Sequence, residues 1–103
     1  MKKLVRDGKV AVLVSAGFGA GWYTWHHIPE LLFDPDVVKM VELDWPQDLI
    51  KAHCEKFYGN NHFFRGVDRL GIQWVPEGTK FRIDEYDGAE TLVTQDQDEW
   101  IIA

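Results

Sequence analysis

Only one cysteine, Cys54, occurs in the 103 residues. It excludes an internal disulfide framework and points to a reducing compartment. Long apolar runs are missing too. The longest uninterrupted stretch is Val10 to Val14, far short of the ~20 residues a spanning helix needs. The opening Met1-Lys2-Lys3 imitates the charged start of a signal peptide, but Arg6, Asp7 and Lys9 break any apolar segment behind it. A cytoplasmic protein with no membrane partner is expected. Positive charge is also scarce: 11 basic side chains stand against 17 acidic ones, a formal charge of −6. Duplex nucleic acid needs a basic face to neutralise phosphates and is not an expected partner. Two nucleotide-binding signatures are absent. There is no G-x-x-x-x-G-K-S/T, and Gly17-x-Gly19-x-Gly21 is not the G-x-G-x-x-G of a dinucleotide site.

What is present suits one globular domain spanning 1–103. The hydrophobic content is 46%, with 14% aromatic, which argues against disorder. A chain of this length buries roughly two-thirds of its unfolded surface, enough for one modest core. The acidic excess is uneven. Residues 1–51 carry 6 basic and 7 acidic groups, and residues 52–103 carry 5 and 10, so the C-terminal half is the more acidic.

The pattern along the chain predicts an α+β fold: an antiparallel sheet with a two-helix insertion between its N-terminal and C-terminal strands. Leu4 and Val5 precede Arg6-Asp7-Gly8, and Asp-Gly is a strong two-residue hairpin signal. Lys9 to Ser15 is apolar on both faces and reads as a buried central strand. Asp34 as N-cap with Pro35 at the first helical position starts one helix. A second helix begins near Asp44 or Trp45 and ends at Gly59. Strands follow at Asp68 to Val75, Thr79 to Tyr86 and Ala89 to Thr94, joined at Pro76-Glu77-Gly78 and Asp87-Gly88. Trp100-Ile101-Ile102 is expected to dock on the body, as an edge strand for instance.

One segment stands out as a candidate site. Ser15, Ala16, Gly17, Phe18, Gly19, Ala20 and Gly21 lead from the central strand into Trp22, Tyr23, Trp25 and His26. Alternate glycines can aim several backbone N–H groups at one point and so cradle an anion. The rings could stack a base at ~1–3 kcal/mol. Arg65, Arg69 and Arg82 are the cations expected to reach a phosphate. A small anionic, nucleotide-like ligand is the partner this composition suggests, and Gly19→Val should then fold yet lose it. The competing structural reading makes the glycines a bend with aromatics filling the core beneath.

Other candidates are weaker. His26, His27, His53, Cys54 and His62 lack metal-ligand spacing, so neither a metal nor another cofactor is expected. Cys54, on the apolar stripe of the second helix, reads as inert packing. Trp45, Trp74 and Trp100 should anchor core or interface, and Phe63 and Phe64 should be exposed, favouring a homo-oligomer. The run Asp84-Glu85-Tyr86-Asp87, with Asp96, Asp98 and Glu99, reads as solvated acidic faces.

The segments Gly8 to Leu13, Gly17 to Trp25 and Pro76 to Ile83 resemble a group of small phage and prophage proteins. The resemblance extends over most of the chain. It implies a phage setting, in the host cytoplasm, where small acidic proteins inhibit host defence. Some act as oligomeric sponges for cyclic-nucleotide or ADP-ribose-derived signals. Three functions follow as expectations: a non-enzymatic sequestering binder; an acidic protein–protein inhibitor using Asp84, Glu85, Asp87 and Glu90; or a small hydrolase or transferase with His26 or His27 as base.

Overall fold

The structure is a computed structural model and describes residues 1–59 and 64–94. His62, Phe63, the Asp96–Asp98–Glu99 group and Trp100 to Ile102 lie outside those residues. The architecture is α+β, as the pattern predicts. Strand β1 (Val5–Arg6) turns at Asp7-Gly8 into β2 (Lys9–Ser15). Both turn residues have positive φ, 51° and 76°, the geometry a type I′ turn requires. The chain then passes through the glycine segment to a single helical turn, α1 (Tyr23–His26), and a 3-10 turn at Pro29–Leu32. Helices α2 (Pro35–Glu42) and α3 (Gln47–Tyr58) follow, then β3 (Leu70–Pro76), β4 (Phe81–Tyr86) and β5 (Ala89–Thr94).

The strands divide into two sheets rather than one. β1, β2 and β3 form an antiparallel sheet in that order, and β4–β5 is a separate hairpin. β2 runs in register with β3, from Lys9 opposite Pro76 to Ser15 opposite Leu70. Its two faces serve two cores. Ala11 and Leu13 pack with Trp22, Leu31, Val37, Val38, Ile50, Cys54, Phe64 and Val67 under the helices. Val10, Val12 and Val14 pack with Leu32, Phe33, Val75 and Leu92, with Phe81 and Ile83 at the margin. The molecule is therefore layered as helices, three-stranded sheet and hairpin. A strand covered on both sides has no reason to alternate polar with apolar residues, which explains the unbroken Val10 to Val14 run.

Local chemistry sets the helix boundaries. The Asp34 carboxylate accepts the N–H groups of Asp36 and Val37, at 2.9 and 3.2 Å, and Pro35 occupies the first turn of α2. Such a cap contributes about 1 kcal/mol. Asp44, at φ 58°, reverses the chain so that Trp45 N–H reaches the Met40 carbonyl. α3 then starts at Gln47, with Pro46 just outside it, and stops at Gly59. β3 starts two residues later than expected, because Val67–Arg69 form a 3-10 turn. Among the described residues, no helix is long and apolar enough to cross a membrane.

Candidate functional site

The glycine segment leaves the end of β2, and the backbone N–H groups that flank it, rather than those of its glycines, converge on a carboxylate of the chain itself. Glu90 on β5 is buried. One of its oxygens accepts Ser15 N–H at 2.9 Å. The other accepts Trp22 N–H at 3.0 Å, Thr24 N–H at 2.9 Å and the Thr24 hydroxyl at 2.7 Å. The Ser15 hydroxyl donates to the Gly88 carbonyl, and Gly19 N–H to that of Asp87. A β-carbon at Gly88 would fall on the Gly19 carbonyl. One at Gly66 would meet the carbonyls of Gly21 and Ala20 at 2.8 and 3.0 Å. Both glycines are required because two backbones touch there.

Several expectations are corrected by this packing. Glu90, expected on the acidic surface of an inhibitor, is buried and accepts the N–H groups that flank the glycine segment. Trp22 offers no stacking face, being 0% exposed with its indole N–H donated to the Leu31 carbonyl at 2.9 Å. Tyr23 is half-buried against the hairpin-side core. Phe64 is 0% exposed instead of displayed, since the Gly66 contact folds its segment inward against Trp22, His26 and Tyr58. Of the tryptophans expected in core or interface, Trp45 is 44% exposed and Trp74 is partly buried against the helix-side core. Trp25 keeps an open ring against Gly21.

The other side of the segment carries the positive charge. A concavity of about 330 Å³ elsewhere has both Lys2 and three carboxylates in its lining, but one of about 320 Å³ is lined by Ala20, Gln47, Lys51, Arg65, Asp68 and Arg69 among others. Three cationic side chains there face a single carboxylate, and Arg69 pairs with that Asp68 at 3.8 Å in an exposed setting. The Arg69 guanidinium lies over the α-carbon of Gly19. His26 Nε2–H donates to the Arg65 carbonyl at 3.0 Å, which fixes the backbone carrying Arg65. Three residues picked out by sequence, Ala20, Arg65 and Arg69, thus meet in one place. Ser15, Gly21, Trp22 and Tyr23 do not line it: Ser15 is bonded to Glu90, Trp22 lies in the helix-side core and Tyr23 against the hairpin-side core. Ala16, Gly17 and Phe18 are exposed along the same segment. Arg82 stands on β4, hydrogen-bonded to Asp84 at 3.0 Å and outside the concavity. Lys51 and Gln47 were missed because only the fold brings the first turns of α3 to the segment at 65–69.

The larger cleft, lined by Glu30, Asp34, Asp36, His53, Phe57 and Tyr58 among others, holds a second cluster that sequence reading missed. Asp34 accepts the Tyr58 hydroxyl at 2.6 Å and His53 Nε2–H at 3.0 Å, on the oxygen not used for capping. Burial pushes the Asp34 carboxyl up, but the hydrogen bonds from Tyr58, His53 and Val37 outweigh it and hold the pKa below its usual value. Burial, reinforced by that hydrogen bond, pushes the Tyr58 hydroxyl up. Burial likewise pushes the Cys54 thiol up to about 12, leaving it a packed and unreactive group. Donor atoms of Asp34, Asp36 and His53 lie within 4.8 Å of one another, as a metal would need. Every lone-pair direction of Asp34 is already used, however, so the cluster acts as a cap tied to α3.

Compared with protein-family models, curated proteins and solved structures, the chain finds no match.

Proposed function

We propose that this protein is a non-enzymatic binder of a small phosphate-bearing, nucleotide-like ligand, held in the concavity of Lys51, Arg65 and Arg69. The observation that carries the reading is the gathering of three cations around one pocket in a chain of net charge −6. The volume, about 320 Å³, falls in the range of small-ligand pockets. Arginine offers paired N–H donors to phosphate oxygens, and Lys51 adds a point charge. Gln47 and the exposed backbone near Ala20 can read polar edges of the ligand. The lining supplies charge and donors rather than a nucleophile beside a base, so sequestration fits better than turnover. In the phage setting implied by the resemblance, the ligand is a nucleotide-derived signal of host defence. Self-association belongs to the same reading: Leu43, Trp45, Leu49 and Phe57 leave apolar surface exposed around α2 and α3.

The test is thermal unfolding and calorimetry against nucleotides, cyclic dinucleotides and ADP-ribose derivatives. A ligand at a hundred times its dissociation constant adds ~2.7 kcal/mol, and each kcal/mol moves the midpoint by roughly 4–8 °C in a domain of this size. A shift that disappears in Arg65→Ala supports the reading. A flat panel, or a shift that survives both Arg65→Ala and Lys51→Ala, overturns it.

A further inference from the structure

A second exposed feature lies on the other flank of the glycine segment. Phe18, at the crest of the segment, and Tyr86, at the end of β4, are 64% and 75% exposed. Their ring centroids are 6.1 Å apart at an interplanar angle of 71°, an edge-to-face corner with open ring surface. The backbone beneath is held firmly. Gly19 N–H bonds the Asp87 carbonyl at 3.0 Å, Gly88 abuts Gly19, and Glu85 accepts Gly88 N–H at 2.9 Å. Two large exposed aromatics on so well-tied a turn form no part of either core.

The charge around the corner is negative. Asp87 is exposed on the turn itself, and Asp84 stands on the same face of β4 as Tyr86, hydrogen-bonded to Arg82, whereas Glu85 projects from the opposite face and holds Gly88 N–H. Aromatic faces carry negative potential, and carboxylates beside them add to it, so the corner attracts a cation whose aliphatic stem can lie on the rings. A phosphate-bearing ligand is repelled here. A second copy presenting this same corner brings like charge against it.

We propose that Phe18 and Tyr86, with Asp84 and Asp87, form a docking corner for an arginine- or lysine-rich segment of a partner protein. The corner is independent of the anion pocket: Gly19 separates them, with Arg69 over its α-carbon and Gly88 against its carbonyl.

The experiment uses the full chain and a fluorescein-labelled arginine-glycine repeat peptide, read by anisotropy, with a glutamate-glycine peptide as control. The arginine peptide is expected to bind and the control not. Tyr86→Ala should weaken binding about tenfold or more, as loss of an exposed aromatic anchor does, with an unchanged melting temperature. Phe18→Ala and the charge variant Asp84→Asn/Asp87→Asn should weaken it as well. Failure of the peptide to bind overturns the proposal, as does binding that Tyr86→Ala leaves intact. A self-association abolished by Tyr86→Ala in sedimentation would overturn it in favour of a second copy. Loss of nucleotide binding in Arg65→Ala concerns the other pocket and leaves this result untouched.

Discussion

Glu90 accepts the backbone N–H of Trp22 at 3.0 Å across 68 residues of sequence. With its bonds to Ser15 and Thr24 it ties both ends of the glycine segment to the hairpin. On the ladder Glu90 lies directly opposite Glu85, an arrangement that costs energy for like charges. Each carboxylate is directed to different N–H donors, Glu85 to Gly88 and Glu90 to the segment. Removing Glu90 leaves three backbone donors without a partner, and each unsatisfied buried donor costs about 1–3 kcal/mol. Glu90→Ala should therefore destabilise by at least ~3 kcal/mol. Glu90→Gln should lose less, because its amide oxygen still accepts on one side. Urea unfolding checks the order.

The two Asp-Gly turns allow steric contact to be separated from backbone strain. Gly8 and Gly88 have φ of 76° and 84°. A β-carbon meets nothing within 4 Å at Gly8 but strikes the Gly19 carbonyl at Gly88. Gly8→Ala should cost only the left-handed penalty of roughly 1–2 kcal/mol. Gly88→Ala should cost clearly more, and its glycine segment should lose hydrogen-exchange protection at Gly19. Equal melting temperatures for the two variants would refute the close approach.

Gly19→Val is not the clean test that the sequence suggested. Gly19 sits at φ 136°, with Arg69 over its α-carbon, so a valine is strained and displaces a pocket residue. Lys51→Ala and Arg65→Ala alter exposed side chains. Both should keep the melting temperature within ~0.5 kcal/mol of stability while reducing affinity for a phosphate-bearing ligand, as isothermal calorimetry would record.

Acid should act through Asp34. Its pKa is lower folded than unfolded, so its ionised form stabilises the fold above the unfolded value of about 3.9. That stability is lost as pH falls through the lower folded value. Asp34→Asn can still accept the capping N–H groups but lacks the charge. It should melt below the parent at pH 7, with the gap closing below about pH 4. A gap that stays constant with pH would refute the electrostatic part.

Cys54 should resist a thiol reagent at pH 8 in the native state and react on unfolding, since burial holds its pKa near 12. Reaction at the rate of a free peptide thiol would contradict its burial.

Much of the frame was legible in the residues themselves. Asp7-Gly8 and Asp87-Gly88 adopt the positive φ angles that an Asp-Gly hairpin requires. Asp34-Pro35 starts a helix by capping chemistry, and the unbroken Val10 to Val14 run marks the strand covered on both sides. These outcomes depend on neighbours within about four positions, where backbone angles and hydrogen-bond geometry act directly. The site was legible only in part. Ala20, Arg65 and Arg69 were named, yet Lys51, Gln47 and the Asp34–His53–Tyr58 cluster were not.

The tertiary structure alone decided which anion the ends of the glycine segment would hold. Glu85 and Glu90 look alike along the chain, and the register sets them opposite each other on one face of the β4–β5 hairpin. What distinguishes them is the proximity of Ser15, Trp22 and Thr24, 75, 68 and 66 residues from Glu90 in sequence. The same holds for Phe64, carried into the core by the contact of Gly66 with Ala20 and Gly21. A carboxylate is stable inside a protein only where several donors converge on it. Such convergence is a property of packed layers, and no local pattern encodes it.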